Sequence, residues 1–279
     1  MNESETGFIE EAPKSFIVSL GLKRSGKTFL MLQYLKYALT NDIFEEYHLV
    51  LPQYGHERDG AYQFLAQFKK NVFIYDAYHS LLAKKVLELI PKKHIMFVID
   101  DATGEFTSGG FDSHMSKLLT VNEHGKTCCV WFCIHGTRKV LPPLARAMLN
   151  FLIVYTNDDG LALEAIWKDR FSRMYRRYQD FVEMYDKAMS SDHNAIVYAL
   201  NRHHELDGIL DWDLVKMKFP QFDKSPKGKI KVKSFDSQKE KMKEQVQHSI
   251  EKQQMRAELQ PKPNPLKDMS FLAKAFKVK

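Results

Sequence analysis

Short apolar runs alternate with stretches of helical period along the first two-thirds of the chain. The runs fall at Phe16–Leu20, 47–51, Val72–Tyr75, Ile95–Ile99, Cys128–Ile134 and Phe151–Tyr155, and they are rich in Val, Ile, Phe and Tyr. Their near lack of charge predicts strands covered on both faces. Between them, 29–39, 62–69, 80–90, Ser113–Asn122 and 142–149 carry the spacing of helices. Strand–helix alternation of this kind predicts an α/β fold with a mainly parallel central sheet flanked by helices. Asn157-Asp158-Asp159-Gly160 reads as a turn that returns the chain as a hairpin into a strand over 161–167. A long amphipathic helix over about 168–189 and a last strand at 195–200 complete the pattern.

The pattern stops near residue 218. Beyond it Pro, Gly and Lys punctuate a polar stretch, with a solvent-exposed helix read over 239–259 and an apolar stripe of Leu266, Met269, Leu272 and Phe276. Charge makes the same division. Residues 218–279 hold 16 Lys/Arg against 7 Asp/Glu, a balance of +9, whereas the other 217 residues carry −3 of the total +6. We therefore divide the chain into an acidic segment 1–13, a domain 14–217 and a basic C-terminal tail 218–279 that is partly helical or disordered. A basic tail on a near-neutral body suits contact with a polyanion by counterion release.

Composition excludes several classes. No apolar run reaches the ~18 residues of a membrane span, and the acidic start is unlike a secretory signal, so the protein is expected not to be secreted. Cys128, Cys129 and Cys133 crowd into one apolar run. That spacing serves neither a disulfide framework nor a zinc site, so they read as reduced core residues.

The sharpest chemical signal is Gly21-Leu22-Lys23-Arg24-Ser25-Gly26-Lys27-Thr28, a full G-x-x-x-x-G-K-[ST] match placed between a strand and a helix. Such a loop wraps phosphates with backbone N–H groups at a helix N-terminus. Gly21, Leu22, Lys23, Arg24, Ser25, Gly26, Lys27 and Thr28 are thus expected to bind ATP. Lys27 would reach the β- and γ-phosphates, and Thr28 would ligate Mg²⁺.

A second signal is the apolar strand ending in Asp100-Asp101, which puts two carboxylates at the sheet edge where open α/β sheets bind ligands. Asp100 is the expected partner of Mg²⁺, and Asp101 is placed to orient or deprotonate a water. The run Cys128–Ile134 then leads into His135-Gly136-Thr137-Arg138, where His135 and Thr137 are both candidates to contact the γ-phosphate.

This order of pieces resembles the viral genome-packaging ATPases of the FtsK–HerA superfamily, of the poxvirus, virophage and tailless-phage type. The resemblance spans about residues 15–205. It rests on the P-loop, the Asp-Asp strand, a helix ending at His124, the sensor strand, Leu141-Pro142-Pro143-Leu144-Ala145-Arg146 with Asn150, and Tyr178-Gln179-Asp180-Phe181. Two departures stand out. No Gln occurs between Cys128 and Asn150 to act as the family's sensor, and Glu123 occupies the place of an Arg before His124.

The resemblance implies a P-loop NTPase of the ASCE type that couples ATP hydrolysis to movement of double-stranded DNA into a preformed capsid. It implies a homo-oligomeric ring in which an arginine acts across subunits, with Arg146 or Arg138 as candidates, and capsid vertex proteins as partners. Peripheral contact with an internal viral membrane, without a transmembrane segment, is compatible with it. The expected place of action is the virion or the host-cell cytoplasm. A cellular HerA-like translocase or helicase, and a nucleotide-binding architectural protein tethering DNA to a capsid, are the alternative readings. Phe106-Thr107-Ser108-Gly109-Gly110-Phe111, after the Asp pair, reads either as a nucleotide-responsive loop or as plain loop.

Overall fold

The computed structural model describes residues 7–51, 62, 64–65, 68, 71–101, 111–122, 128–135, 141–157, 159–190, 194–199 and 208–210. All lie in the first of two compact units, Met1–Phe235. The boundary read at 217/218, the tail, His124, Thr137, Arg138 and the loop 106–110 lie outside the described residues.

Eight strands form one sheet. They are β1 (Phe16–Leu20), β2 (Glu46–Val50), β3 (Val72–Tyr75), β4 (Ile95–Ile99), β5 (Cys128–Ile134), β6 (Phe151–Tyr155), β7 (Ala195–Ala199) and β8 (Gly208–Leu210), in the spatial order β3-β2-β4-β5-β1-β6-β7-β8. The first six are mutually parallel, and β7 and β8 add antiparallel at one edge. The sheet is mainly parallel, as the pattern predicts. β5 lies between β1 and β4, so one strand separates the P-loop strand from the Asp-Asp strand.

Strands β1, β4, β5 and β6 are buried along their full length. Alternate side chains feed two cores. Phe16, Val18, Leu20, Phe97, Val130 and Phe132 face one layer, and Ile17, Met96, Val98, Cys129, Trp131 and Cys133 face the other. This is the period-2 partition of a strand covered twice, and it explains why the runs show no polar alternation. The lone polar residue inside β1, Ser19, accepts a hydrogen bond from Trp131 Nε1 at 3.0 Å. All three cysteines are free and buried in β5.

Helices α1 (Gly7–Glu11), α2 (Lys27–Thr40), α3 (Ser80–Leu89), α4 (Ser113–Asn122), α5 (Pro143–Ala147), α6 (Gly160–Ile166) and α7 (Tyr178–Ala188) cover the sheet. α1 falls in the segment set apart as acidic, yet its Phe8 is buried edge-on against Trp131 and Phe151. Of the helix read over 62–69, Tyr62, Phe64, Leu65 and Phe68 are described, and the first three are buried.

Two readings are corrected. The segment 161–167 is not a returning strand but α6, because Asp159 caps it: its side chain accepts from the N–H groups of Leu161 and Ala162 at 3.0 and 3.3 Å. The same Asx chemistry that makes a turn also starts a helix, and burial of Leu163 and Ile166 three apart decides for the helix. The long helix over 168–189 is broken as well. A π-helical turn, Trp167–Phe171, is followed by a non-helical stretch before α7. Trp167 Nε1 donates to the Tyr175 carbonyl at 2.7 Å, which draws the chain round and ends the ladder.

Candidate nucleotide site

β1 delivers the chain at Gly21 to a gap between two parallel neighbours. Gly21 N–H donates to the Ile134 carbonyl at 3.3 Å and Leu22 N–H to the Thr156 carbonyl at 3.0 Å, so the ends of β5 and β6 brace the loop. A Cβ on Gly21 would stand 2.6 Å from Tyr155 Cβ and 2.8 Å from Ser25 Oγ, so no larger residue fits. Gly26 takes φ 106° at the start of α2, the left-handed region where glycine is at ease, while Arg24 holds φ 66° at the cost of some strain.

Lys27, the first residue of α2, is buried and turns back into the loop. Its ammonium donates to the Gly21 carbonyl at 2.8 Å and the Leu22 carbonyl at 2.6 Å. Burial lowers its pKa, against the opposing pull of the Asp100 and Asp101 carboxylates. Thr28 Oγ1 donates to Asp100, 3.0 Å from Oδ1 and 3.1 Å from Oδ2. Residues 72 positions apart are thus joined across β5, linking the P-loop to the end of β4.

Asp100 is buried and receives three further groups. Tyr62 Oη donates to its Oδ2 at 2.6 Å, the N–H of Asp101 donates to its Oδ1 at 3.1 Å, and the Cys133 thiol lies beside it. Burial pushes the Cys133 thiol up, which keeps it protonated. Asp101 adopts φ 54°, a backbone state uncommon for a non-glycine residue and found where surrounding structure imposes it. Its carboxylate meets His135, whose Nε2 lies 3.3 Å from Asp101 Oδ1. His135 Nδ1 lies 3.0 Å from the Gly21 carbonyl. A carbonyl only accepts, so Nδ1 carries a proton, and the ring ties the P-loop to the second aspartate.

Six expected site residues therefore meet at one edge: Gly21, Lys27, Thr28, Asp100, Asp101 and His135. Arg146 does not join them. It lies on α5, which hands the chain to Asn150 where β1 and β6 begin, away from the P-loop edge. Its guanidinium pairs with Asp169 at 2.5 Å, and its carbonyl accepts from Arg170. Asn150 brackets the start of β1: its Oδ1 accepts from Phe16 N–H at 2.7 Å and its N–H donates to the Phe16 carbonyl at 2.9 Å. Pro143 opens α5 at a position where no N–H is needed. Tyr62 is the residue the sequence does not announce. It lies in no motif, and its only signal is an aromatic residue in an otherwise unremarkable helix pattern.

The donor set suits Mg–ATP. Thr28 and Asp100 offer the hard oxygens that Mg²⁺ prefers. Ser25 Oγ is buried inside the loop without a hydrogen-bond partner among the described residues, a hydroxyl that a phosphate oxygen can satisfy. No group of three or more His, Cys, Asp or Glu side chains arranged to hold a metal exists among the described residues. Any divalent ion would thus depend on the nucleotide and water for most of its ligands.

No protein-family model and no curated protein matches the chain. Solved structures do. The genome packaging NTPase B204 of Sulfolobus turreted icosahedral virus 2, in complex with ATP-γS, aligns with a TM-score of 0.51 at 17% identity, covering 68% of this chain and 93% of that one. B204, the DNA-packaging ATPase of Sulfolobus turreted icosahedral virus, aligns with a TM-score of 0.50 at 17% identity, covering 68% and 94%. This chain shares their fold.

Proposed function

We propose that this protein is an ATP hydrolase of the FtsK–HerA kind that drives double-stranded DNA into a viral capsid as a homo-oligomeric ring. The observation that carries the hydrolase reading is the contact of Thr28 with Asp100 beside the buried Lys27, with Asp101 and His135 at the same edge. The packaging reading is supported by the likeness of fold to B204 and by the Leu141–Asn150 segment. Capsid vertex proteins are its proposed partners, and the host-cell cytoplasm or the virion its place of work.

Lys27 neutralises phosphate charge once it exchanges the Gly21 and Leu22 carbonyls for phosphate oxygens. Thr28 and Asp100 hold Mg²⁺, which, when bound, draws negative charge from the β- and γ-phosphates. Asp101 accepts a proton from the attacking water or aligns it, and His135 fixes the Asp101 carboxylate relative to the P-loop. His135 or Thr137 takes the sensor role at the γ-phosphate. Arg146 of a neighbouring subunit supplies positive charge to the transition state.

Steady-state hydrolysis by the parent, Lys27→Ala and Asp101→Asn, with and without duplex DNA, tests this. Lys27→Ala should lose activity roughly a hundredfold or more and bind ATP weakly. Asp101→Asn should still bind Mg–ATP but turn over slowly, since only the water-facing carboxylate is lost. Parental rates in both variants would refute the assignment of this site, and a parent rate indifferent to DNA would refute the motor.

A further inference from the structure

Residues 168–177 carry Lys168, Arg170, Arg173, Arg176 and Arg177 against one acid, Asp169, a local balance of +4. The body of the chain is otherwise acidic, so the division into body and tail conceals this concentration. The segment is fixed from within. Phe171 is buried and packs its ring, tilted, against Phe181 and Tyr198, with centroids 5.0 and 4.7 Å apart. The N–H groups of Met174 and Tyr175 both donate to the Phe171 carbonyl, at 3.0 and 2.8 Å, and Trp167 holds the Tyr175 carbonyl. The backbone is thereby tied to the core while Lys168, Arg173, Arg176 and Arg177 stand outside.

Each cation can be followed to its partner. Lys168 pairs with Glu164, and Arg177 with Asp180. Arg170 is half-buried and donates to the Arg146 carbonyl. Arg173 and Arg176 are exposed, and among the described residues neither makes an ion pair or a side-chain hydrogen bond. Immediately afterwards α7, eleven residues long, starts at Tyr178 with no side chain capping its N-terminus. Two unmatched guanidinium groups and the positive end of a helix dipole share one corner. Asp180 in the first turn of α7 is already paired with Arg177, so among the described residues Arg173 and Arg176 keep no ion-pair partner, and like charges held together on a rigid turn oppose folding.

An external anion would complete the corner, and its chemistry points to phosphate. Guanidinium forks match phosphate oxygens two at a time, and free helix N-termini bind phosphate through backbone N–H groups. Arginine, rather than lysine, occupies both unmatched positions. We infer that the turn 172–177 is a contact for the phosphate backbone of duplex DNA, made by Arg173 and Arg176 and completed by the N-terminus of α7. This rests on the DNA-translocating reading above. Phe171 packs against Tyr198, which pairs with Leu152 near the start of β6, so the contact lies toward the sheet edge opposite Lys27 and Asp100. It reads the backbone alone, as a motor that accepts any sequence requires.

The test uses the full chain. Arg173→Ala/Arg176→Ala and the parent are titrated with a short mixed-sequence duplex, by fluorescence anisotropy, across a series of salt concentrations. Loss of two phosphate contacts should lower the slope of log K against log salt by about 1.8, while ATP hydrolysis without DNA stays at the parental rate. Lys84→Ala/Lys92→Ala removes the same charge from exposed positions on and just beyond α3 and should leave the slope unchanged. A parental slope in the arginine variant overturns the inference, and so does an equal loss in both variants, which would mark a net-charge effect. Competition by polyglutamate as strong as by DNA would assign the turn to an acidic protein and overturn it too. If the parent itself binds no duplex at low salt, the DNA-translocating reading falls first and this assignment with it.

Discussion

Tyr62 shows how a site residue can be invisible in a motif and central in the fold. Its hydroxyl donates at 2.6 Å to the carboxylate that also receives Thr28, so it sets the orientation of Asp100 before any nucleotide arrives. Tyr62→Phe keeps the buried ring and removes only the donor. A hydrogen bond to a charged group is worth about 1.5–3 kcal/mol, and a loss of that kind felt in the transition state lowers kcat about ten- to a hundredfold. The same variant should need more Mg²⁺ for half-maximal rate, while its melting temperature changes little. An unchanged rate and Mg²⁺ dependence would reduce Tyr62 to a packing residue. The motif residues, by contrast, were readable because their spacing encodes one backbone path: Gly21 where only a hydrogen fits, Lys27 and Thr28 on the first turn of a helix. Tyr62 reaches Asp100 through tertiary folding across 38 positions, and no spacing rule reports that.

Elements were legible in proportion to their burial. β1, β4, β5 and β6 begin and end where their apolar runs do, because a strand covered on both faces admits no polar interruption. β8 was missed, since three residues beginning with a glycine make no pattern. Of the two misread elements, the first is α6, where a four-residue turn signal and a helix start share the same chemistry. That cap is testable. Asp159→Ala removes the acceptor for Leu161 and Ala162 and should cost about 1 kcal/mol, lowering the melting temperature by about 2–4 °C in a domain of this size. Asp159→Asn or Asp159→Ser should recover most of the loss, because each restores an acceptor at the same place. Failure of both to recover it would mean that α6 is held by Leu163 and Ile166 alone.

In the whole molecule, the proposed ring gives Arg146 two possible employers. Inside its own subunit it pairs with Asp169, and both side chains remain partly open to solvent. Exposed pairs of this kind are worth about 0–1 kcal/mol, so a neighbour's nucleotide can compete for the guanidinium at little cost. Its position, toward the edge where the strands begin, keeps it from its own P-loop and leaves a partner's site as the catalytic destination. Arg146→Ala should therefore bind ATP and hydrolyse little, and mixing it with Lys27→Ala should restore part of the activity. The logic is positional: in a mixed ring, the intact P-loop of an Arg146→Ala subunit can face the intact Arg146 of a Lys27→Ala subunit. Asp169→Asn, which frees Arg146 without removing it, should keep or raise the rate. If no mixing ratio restores hydrolysis and Asp169→Asn is as impaired as Arg146→Ala, then the pair acts within one subunit to hold α5 against the π-helical turn, and the ring must draw its arginine from another position.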